Sequence, residues 1–452
     1  MSRHMFVCIL AIASVVRVEA QQQLPTKDKR IEELLNRISA ANIRASIEKL
    51  VSFGTRHTLS DTAGATRGIG AARRWIKSEF ERYAATSGGR LTVAYDPFVI
   101  PQSQRTPNAV AGVNVVATLH PRAHGSELGS RTIIISGHYD SRATDVMDAT
   151  SDAPGADDDG SGTALVLELA RVMATLDTRS TVKFVCYTGE EQGLFGSLHY
   201  AESTVRDGIE VEAVFNNDIV GGIRGENGEV DSASVRVFSA AFSQRDTGGV
   251  FMRRNALGLE NDGASRSLAR YISETGALYV PGFIVRMVYR GDRFLRGGDH
   301  VPFHQRGNAA VRFSESKENF DHQHQNVRVE KGVEYGDNSR FVNVEYCARI
   351  ARVNAAAAAS IALAPSMPGD AGILVSGLAY DTRLRWKGVH EPGVAGYLVR
   401  WRETTSSVWE HSLFTQDTAV TVNASKDDVL FGVQTVDDEG DTSLYAIPTV
   451  RK

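Results

Sequence analysis

Short apolar runs that alternate with helical patterns limit the possible folds of this chain more than any other feature. Three of the runs, residues 132–135, 182–187 and 213–215, are partly β-branched and are typical of buried strands. Because strands separated by helices form parallel units, the pattern predicts an α/β fold with a mostly parallel central sheet flanked by helices. In such sheets, ligands bind outside the carboxyl ends of the strands.

Side chains able to bind a metal ion stand at those carboxyl ends. His138, Glu191 and Asp218 follow the three apolar runs, Asp157 opens the acidic triplet in PGADDDGSG, and a histidine in ENFDHQHQ comes later. Each motif alone has an ordinary explanation, such as a surface pair or a helix N-cap. Together, at successive strand ends, their carboxylates and imidazoles indicate a site for zinc or a similar divalent ion, with hydrolytic chemistry.

Two local spacings suggest a division of roles within that site. Glu190 and Glu191 are adjacent at the end of a strand, so one can bind the metal while the other acts as a general base. His138 and Asp140 lie two residues apart and point to the same side of an extended chain. One of this second pair can therefore bind the metal while the other orients it.

Composition and the first twenty residues restrict the class of protein. The chain has 452 residues, 42% hydrophobic and 23% charged, which is typical of a globular protein. A formal charge of −4 without a basic stripe argues against nucleic acid as a partner. Residues 1–20 have the charged, apolar and small-residue pattern of a signal peptide, which predicts a secreted or periplasmic protein. No segment is long enough for stable membrane insertion. Cys186 and Cys347 are expected to be buried, unpaired thiols.

The pattern changes at residues 364–369, where Ala-Pro-Ser-Met-Pro-Gly predicts a linker. Beyond it, short alternating strands predict a small all-β sandwich over residues 369–452. This part resembles a fibronectin type III module through Trp386, GYLVRWR and FGVQTVDDEGDTS. Such a module can bind a partner or a surface, and Trp409 is a candidate exposed contact.

The longer first part, residues 21–364, resembles another known family. HYDS, PGADDDGSGTALVLELARVM, FVCYTGEEQGLFGS, NNDIVGG and GGDHVPF…ENFDHQHQ are similar in order and spacing to the M28 family of dizinc aminopeptidases. The similarity spans roughly residues 40–360. It implies a zinc exopeptidase fold, two Zn²⁺ ions bridged by one carboxylate, and peptide or protein N-termini as substrates. Other divalent transition metals are also compatible with this ligand chemistry.

The resemblance also implies a role for each site residue. By position, one zinc would be bound by His138, Asp157 and Asp218, and the other by Asp157, Glu191 and His324. Glu190 would be the general base, and Asp140 the partner of His138. His322 competes with His324 in this chain, and His324 keeps the better register with the family pattern. Asp299 and His300 in GGDHVPF are expected to support the pocket.

Three alternatives remain open at this point. A glutaminyl cyclase has a similar fold but uses one zinc, whereas both ligand sets are present here. A carboxypeptidase on the same scaffold is suggested only by four arginines, Arg286, Arg290, Arg293 and Arg296, for which solvation or ion pairing is the simpler explanation. A binding protein that has lost activity would usually lack a ligand or the base, and no such residue is missing.

Overall fold

The computed structural model describes residues 27–122, 130–375 and 377–451, so the expected signal peptide at 1–20 lies outside the described residues. The α-helices are α1 Lys29–Asn36, α2 Ala40–Val51, α3 Ile69–Ala84, α4 Gly160–Met173, α5 Glu190–Gly193, α6 Phe195–Arg206, α7 Gly248–Ala256, α8 Ala264–Tyr279, α9 Val301–Gln305 and α10 Val344–Leu363. Among the described helices, none has the length and apolar character needed to cross a membrane.

The strands fall into a long central set and a shorter C-terminal set. The first ten are β1 Leu91–Ile100, β2 Val110–Leu119, β3 Arg131–His138, β4 Thr181–Tyr187, β5 Glu210–Asn217, β6 Ser234–Phe238, β7 Ile284–Val288, β8 Ala310–Glu315, β9 Arg328–Glu330 and β10 Val333–Tyr335. The remaining seven are β11 Gly369–Leu374, β12 Thr382–Lys387, β13 Val394–Glu403, β14 His411–Thr415, β15 Ala419–Val422, β16 Val429–Asp437 and β17 Thr449–Arg451.

Eight of the described strands form one sheet in the order β1-β2-β4-β3-β5-β8-β6-β7. Its centre, β4-β3-β5-β8, is parallel, but β2 joins β4 and β6 joins β8 in the antiparallel direction. The sheet is therefore mixed, with four parallel and three antiparallel pairings, and the expected parallel arrangement holds for its centre. Antiparallel β1 and β2 are joined by the short link 101–109, which needs no helical crossover.

Helices cover both faces of this sheet. On one face, α10 is buried along almost its whole length and contacts α1, α2, α4 and α8. The apolar core of this face includes Cys186 on β4 and Cys347 on α10, which are both buried and free, as expected. On the other face, Tyr200 of α6 and Phe303 of α9 pack against the sheet. The carboxyl ends of the parallel strands are thus held rigidly between two helical layers.

The start of α4 lies unusually close to β3 and β5. Asp159 caps this helix by accepting a hydrogen bond from the Gly162 amide at 3.0 Å. A β-carbon on Gly162 would lie only 2.1 Å from the carbonyl oxygen of Asn217 on β5. Glycine is therefore required where the helix approaches the strand, and this contact places the acidic triplet beside the ends of β3 and β5.

The C-terminal strands form two small sheets, β15-β12-β11-β17 and β14-β13-β16. Side chains from both sheets share one apolar core, which includes Trp386, Tyr397 and Phe431. The two sheets pack against the α/β part through Trp409, whose side chain joins the larger core beside Tyr445. The expectation that Trp409 is an exposed contact is wrong, because it is only 7% exposed.

A buried charged cluster ties the C-terminal sheets to the α/β part. Asp262 accepts hydrogen bonds from Arg270 at 3.3 Å and from Arg402 on β13 at 2.8 Å. Both guanidinium groups also lie over the Trp409 ring. The three charged side chains are at most 2% exposed. A buried cluster of this kind depends on every partner being present.

We expect the substitution Asp262→Ala to lower the free energy of unfolding by roughly 3–5 kcal/mol, because it leaves two buried arginines without their carboxylate. Urea unfolding followed by tryptophan fluorescence measures the change. Asp152→Ala is the matched control, since Asp152 is 66% exposed and pairs with Arg67 at the surface. It should change the free energy of unfolding by less than about 1 kcal/mol. Equal effects of the two substitutions would show that the buried cluster does not stabilise the interface.

Candidate metal centre

Six acidic and imidazole side chains converge at the carboxyl edge of the parallel strands. His138 is the last residue of β3, Asp218 follows β5, and Glu190 and Glu191 begin α5 after β4. Two further side chains come from loops, Asp158 before α4 and His324 after β8. The sheet therefore positions most of the site, and two loops complete it.

These side chains form two groups that share one carboxylate. The first ligand group is His138, Asp158 and Asp218, and the second ligand group is Asp158, Glu191 and His324. Within each group, one ligand-type atom from each residue lies within 4.8 Å of the others. One oxygen of Asp158 lies 3.2 Å from His138 Nε2, and its other oxygen lies 2.9 Å from His324 Nε2. Asp158 is thus placed to bridge the two groups.

The shared position was expected to be Asp157, and the structure places Asp158 there instead. Asp157 turns away, accepting a hydrogen bond from the Gly221 amide at 2.8 Å, and its carboxyl also hydrogen-bonds to Glu315. Asp159 points in a third direction and accepts hydrogen bonds from backbone amides, including that of His138 at 2.9 Å. Because the triplet lies in a turn before a helix, its three carboxylates diverge, and only the middle one faces both groups.

Of the two late histidines, the structure brings His324 to the site. His324 Nε2 lies 3.1 Å from Glu191 Oε1, whereas the ring of His322 stacks on Phe341 with ring centroids 3.6 Å apart. His322 lines a separate cavity of about 560 Å³ behind Asp157. That cavity is larger than the one beside the ligand groups, but it lacks any residue of those groups.

The nitrogen and oxygen atoms of the two ligand groups are better suited to binding a divalent metal ion than to bonding with one another. Within the described residues, the buried atoms His138 Nε2 and Glu191 Oε1 form no well-aligned hydrogen bond, although Asp158 and His324 lie 3.2 Å and 3.1 Å from them. Burial alone would lower the pKa of His324, but Glu191 and Asp158 raise it to about 10. The site therefore has more negative charge than its own side chains neutralise, and a divalent cation would balance it. Nitrogen and oxygen donors in such a set suit zinc.

Asp140 supports the ends of two strands. Its backbone carbonyl accepts from His138 Nδ1 at 3.1 Å, while its carboxylate lies 3.6 Å from the same nitrogen. The carboxylate also accepts from the Glu191 amide at 3.2 Å and from the Thr58 hydroxyl at 3.0 Å. Asp140 thus orients His138 and links the end of β3 to the start of α5, which is consistent with the expected supporting position.

Glu190 lies beside the ligand groups and lines the same cavity as Asp158, Glu191 and Asp218. Burial raises the pKa of Glu190 well above its ordinary value, and although His138 opposes this, the carboxylates Asp218 and Glu191 add to it. In the described residues, the Glu190 carboxylate has no hydrogen bond or ion pair with another side chain. A carboxylate that is close to the reacting region and otherwise unengaged is suited to proton transfer.

The backbone around the site is held in unusual conformations. Six described residues other than glycine have φ in the left-handed region, and four of them adjoin the site: Leu194, Ile219, Leu295 and His324. Ile219, with φ 61°, is β-branched and follows Asp218 directly. Left-handed backbone costs such residues about 1–3 kcal/mol each and persists only where the surrounding structure imposes it. The loops that carry Asp218 and His324 are therefore tightly constrained.

Of two residues that support the site, Arg312 was not identified from the sequence, and Asp299 was expected only to support the pocket. Arg312, on β8, is 1% exposed and lies 2.7 Å from an oxygen of Asp218. An arginine inside the apolar strand AVRFSE is a signal that could have revealed it. Asp299 is fully buried, as expected for a supporting residue of the pocket, and burial raises its pKa to about 7 although His138 opposes the shift.

The chain is similar to known proteins over most of its length. A family model described as peptidase family M28 matches residues 114–330. A "Probable zinc metalloprotease" of Leptosphaeria maculans is 46% identical over 413 residues, which cover 91% of this chain and 95% of that protein. Another protein of that name, from Pyricularia oryzae, is 44% identical over 436 residues, covering 94% and 85% of the two chains.

Solved structures share the fold at lower identity. The LapA aminopeptidase of Legionella pneumophila superposes with a TM-score of 0.53 at 20% identity, over 78% of this chain and 76% of that one. An aminopeptidase from Aneurinibacillus sp. strain AM-1 gives a TM-score of 0.52 at 17% identity, over 74% and 96% of the two chains. The chain is 44–46% identical to these relatives over 91–94% of its length, and the family match spans β3, β4, β5 and His324. This chain therefore belongs to peptidase family M28.

Proposed function

We propose that the chain is a secreted dizinc aminopeptidase that removes N-terminal residues from peptides. The observation that carries this proposal is the sharing of Asp158 by two adjacent ligand groups beside a cavity that also contains Glu190. In this proposal His138, Asp158 and Asp218 hold one ion, and Asp158, Glu191 and His324 hold the other. Zinc ions, when bound, supply Lewis acidity and lower the pKa of water.

The remaining chemistry falls to side chains of this chain. Glu190 takes a proton from the attacking water onto its carboxylate and delivers it to the nitrogen of the leaving amine. Asp140 keeps His138 oriented through the contacts described above. Carboxylates in the cavity wall attract the free α-ammonium group of a peptide. The cavity, about 280 Å³, is at the small end for ligand pockets, which favours a chain end as substrate.

The names of related proteins support the same reading. The fungal relatives are named as zinc metalloproteases, and the two solved proteins that share this fold are named as aminopeptidases. A glutaminyl cyclase and a carboxypeptidase are the rival activities, and no observation on the two ligand groups favours either of them. Release of nitroaniline from aminoacyl-nitroanilides would exclude both rivals as its source, because these substrates have no free carboxyl terminus and cyclisation of an N-terminal glutamine releases ammonia.

Chelation is expected to abolish activity. Purified protein should release nitroaniline from aminoacyl-nitroanilides, and removal of zinc should reduce the rate on the order of 10³-fold, because several kcal/mol of transition-state stabilisation are lost. Added zinc should restore the rate. N-acetylated substrates, which lack the free amine, are the control and should not be cleaved. Cleavage of the N-acetylated substrate, or activity that survives chelation, would contradict the proposal.

Export and the domain arrangement are part of the same proposal. We take residues 1–20 as a removed signal peptide, residues 21–364 as the peptidase domain and residues 369–452 as a fibronectin type III-like domain that offers a surface for a partner. N-terminal sequencing of the protein from the culture medium, with Gln21 expected first, tests the export. An N-terminus at Met1 would contradict it.

A further inference from the structure

The cavity beside the two ligand groups is unusually rich in arginine. Its lining includes five arginine side chains, Arg105, Arg142, Arg293, Arg296 and Arg312. We refer to it as the arginine-lined cavity. Arginine remains charged at every physiological pH, so this lining places permanent positive charge beside the site.

Two of the five arginines are already neutralised by the protein. Arg312 pairs with Asp218 at 2.7 Å and with Asp292 at 3.0 Å. Arg293 pairs with Asp292 at 3.3 Å and also with Glu318. These two arginines are largely buried and have a structural explanation, so their charge is not available to a ligand.

The other three arginines have no such partner. In the part of the chain that the structure describes, no carboxylate lies within ion-pair distance of Arg105, Arg142 or Arg296. Arg105 donates to the carbonyl oxygen of Glu191 at 2.8 Å, and Arg142 donates to the carbonyl oxygen of Thr144 at 2.9 Å. These contacts hold two guanidinium groups in place without neutralising them. Arg296 follows Leu295, whose left-handed backbone (φ 58°) turns the chain at the cavity.

The charge balance of the cavity then depends on the state of the ligand groups. When divalent ions are bound, they neutralise the carboxylates of Asp158, Glu191 and Asp218. The three guanidinium groups, which have no carboxylate partner among the described residues, remain as local positive charge in a concave space, where fields are focused. A guanidinium group presents parallel N–H donors that match the two oxygens of a carboxylate. The three guanidinium groups of this cavity are therefore suited to binding an anionic group of a substrate.

We propose that Arg105, Arg142 and Arg296 select peptides that carry a carboxylate next to the scissile bond. Two parts of a peptide can supply that group: an acidic side chain at the N-terminal residue, or the terminal carboxylate of a dipeptide. This inference rests on the proposed function, because it names the substrate class of the same site. The three arginines are specificity-determining residues, and the bond is broken by the groups described above.

The kinetic test compares substrates that differ only in their carboxylates. Glutamyl-nitroanilide carries an acidic side chain, alanyl-alanine carries a terminal carboxylate, and their neutral counterparts, glutaminyl-nitroanilide and alanyl-alanine amide, carry neither. We expect kcat/KM to be at least about 10-fold higher for one carboxylate substrate than for its neutral counterpart. The combined variant Arg105→Gln, Arg142→Gln, Arg296→Gln should reduce that ratio roughly 10- to 100-fold while cleavage of the neutral substrates is retained.

A matched control comes from the same segment of the chain. Arg290 lies over the ring of Phe294 and does not line the cavity. Arg290→Gln removes one positive charge near the site and should leave the substrate ratio unchanged. An equal loss with Arg290→Gln would mean that general surface charge, rather than the three cavity arginines, sets the preference, and this would overturn the proposal.

Binding gives a readout that does not depend on turnover. Calorimetry on zinc-loaded Glu190→Gln protein should show tighter binding of glutamyl-alanine than of alanyl-alanine amide, and salt should weaken the difference. The combined arginine variant, made in the same background, should lose it. Cleavage of neutral substrates with no carboxylate preference overturns this inference and leaves the aminopeptidase intact. If nothing is cleaved, the proposed function fails, and calorimetry alone then decides whether the arginines select carboxylates.

Discussion

Glu190→Gln is expected to reduce kcat by roughly 10³-fold with little change in KM, because glutamine keeps the shape of the side chain but cannot accept a proton. Glu190 lines the cavity beside the two ligand groups without belonging to either. Its removal should therefore affect the chemical step and leave the metal ligands in place. Steady-state kinetics on a nitroanilide substrate measures the effect.

Metal content separates this expectation from a simple structural defect. The Glu190→Gln protein should bind as much zinc as the unaltered protein, as measured by elemental analysis after dialysis. Glu202→Gln is the matched control, since Glu202 is 61% exposed and pairs with Arg306 on the surface. An unchanged kcat in Glu190→Gln, or a loss of zinc from it, would rule out the role of general base.

Much of the site could be predicted because strands fix where their last residues point. The apolar runs at 132–135, 182–187 and 213–215 lie within β3, β4 and β5, and these three strands are adjacent and parallel. Any polar residue that directly follows such a run must lie at one edge of the sheet. His138, Glu191 and Asp218 meet there for this reason.

Loop residues were harder to predict, because their direction depends on turns and not on alternation. The order Asp157-Asp158-Asp159 does not reveal which carboxylate faces the site, since the answer depends on the cap of α4 and on contacts with Gly221 and Glu315. The choice between His322 and His324 depended on the family register for the same reason. In both cases three-dimensional contacts supply information that spacing lacks.

The outer parts of the fold show a second limit. Residues 222–300 are poorly periodic in sequence, yet β6 and β7 within this stretch extend the central sheet. Their five-residue length leaves little periodic signal, and β7 is only partly buried. Similarly, apolar residues keep a nearly helical spacing through residues 30–53, but the chain turns between α1 and α2, where Ser39 caps the second helix. Short elements and caps inside an apolar pattern therefore limit prediction from periodicity.

Asp158 and Asp157 are adjacent carboxylates of the same type, so comparing them tests the most specific feature of the site. Asp158→Asn should disrupt both ligand groups together, since each of them uses one oxygen of this side chain. An amide carries no charge and bridges metal ions poorly. We expect bound zinc to fall below one ion per chain and kcat/KM to fall by roughly 10³-fold or more, because metal-dependent stabilisation of the transition state is worth several kcal/mol.

Asp157→Asn is the matched control for that substitution. The amide oxygen can still accept the hydrogen bond that the Gly221 amide donates, and the side chain can still bond to Glu315. Burial raises the pKa of Asp157, so the folded protein holds the charged form of this side chain less favourably than water does. We expect zinc content to be unchanged and kcat/KM to fall by less than about 10-fold, as for other supporting residues of metal sites. Elemental analysis and kinetics on both variants provide the comparison. If zinc is lost from Asp157→Asn and retained in Asp158→Asn, the first carboxylate of the triplet is the bridge, and the assignment of Asp158 fails.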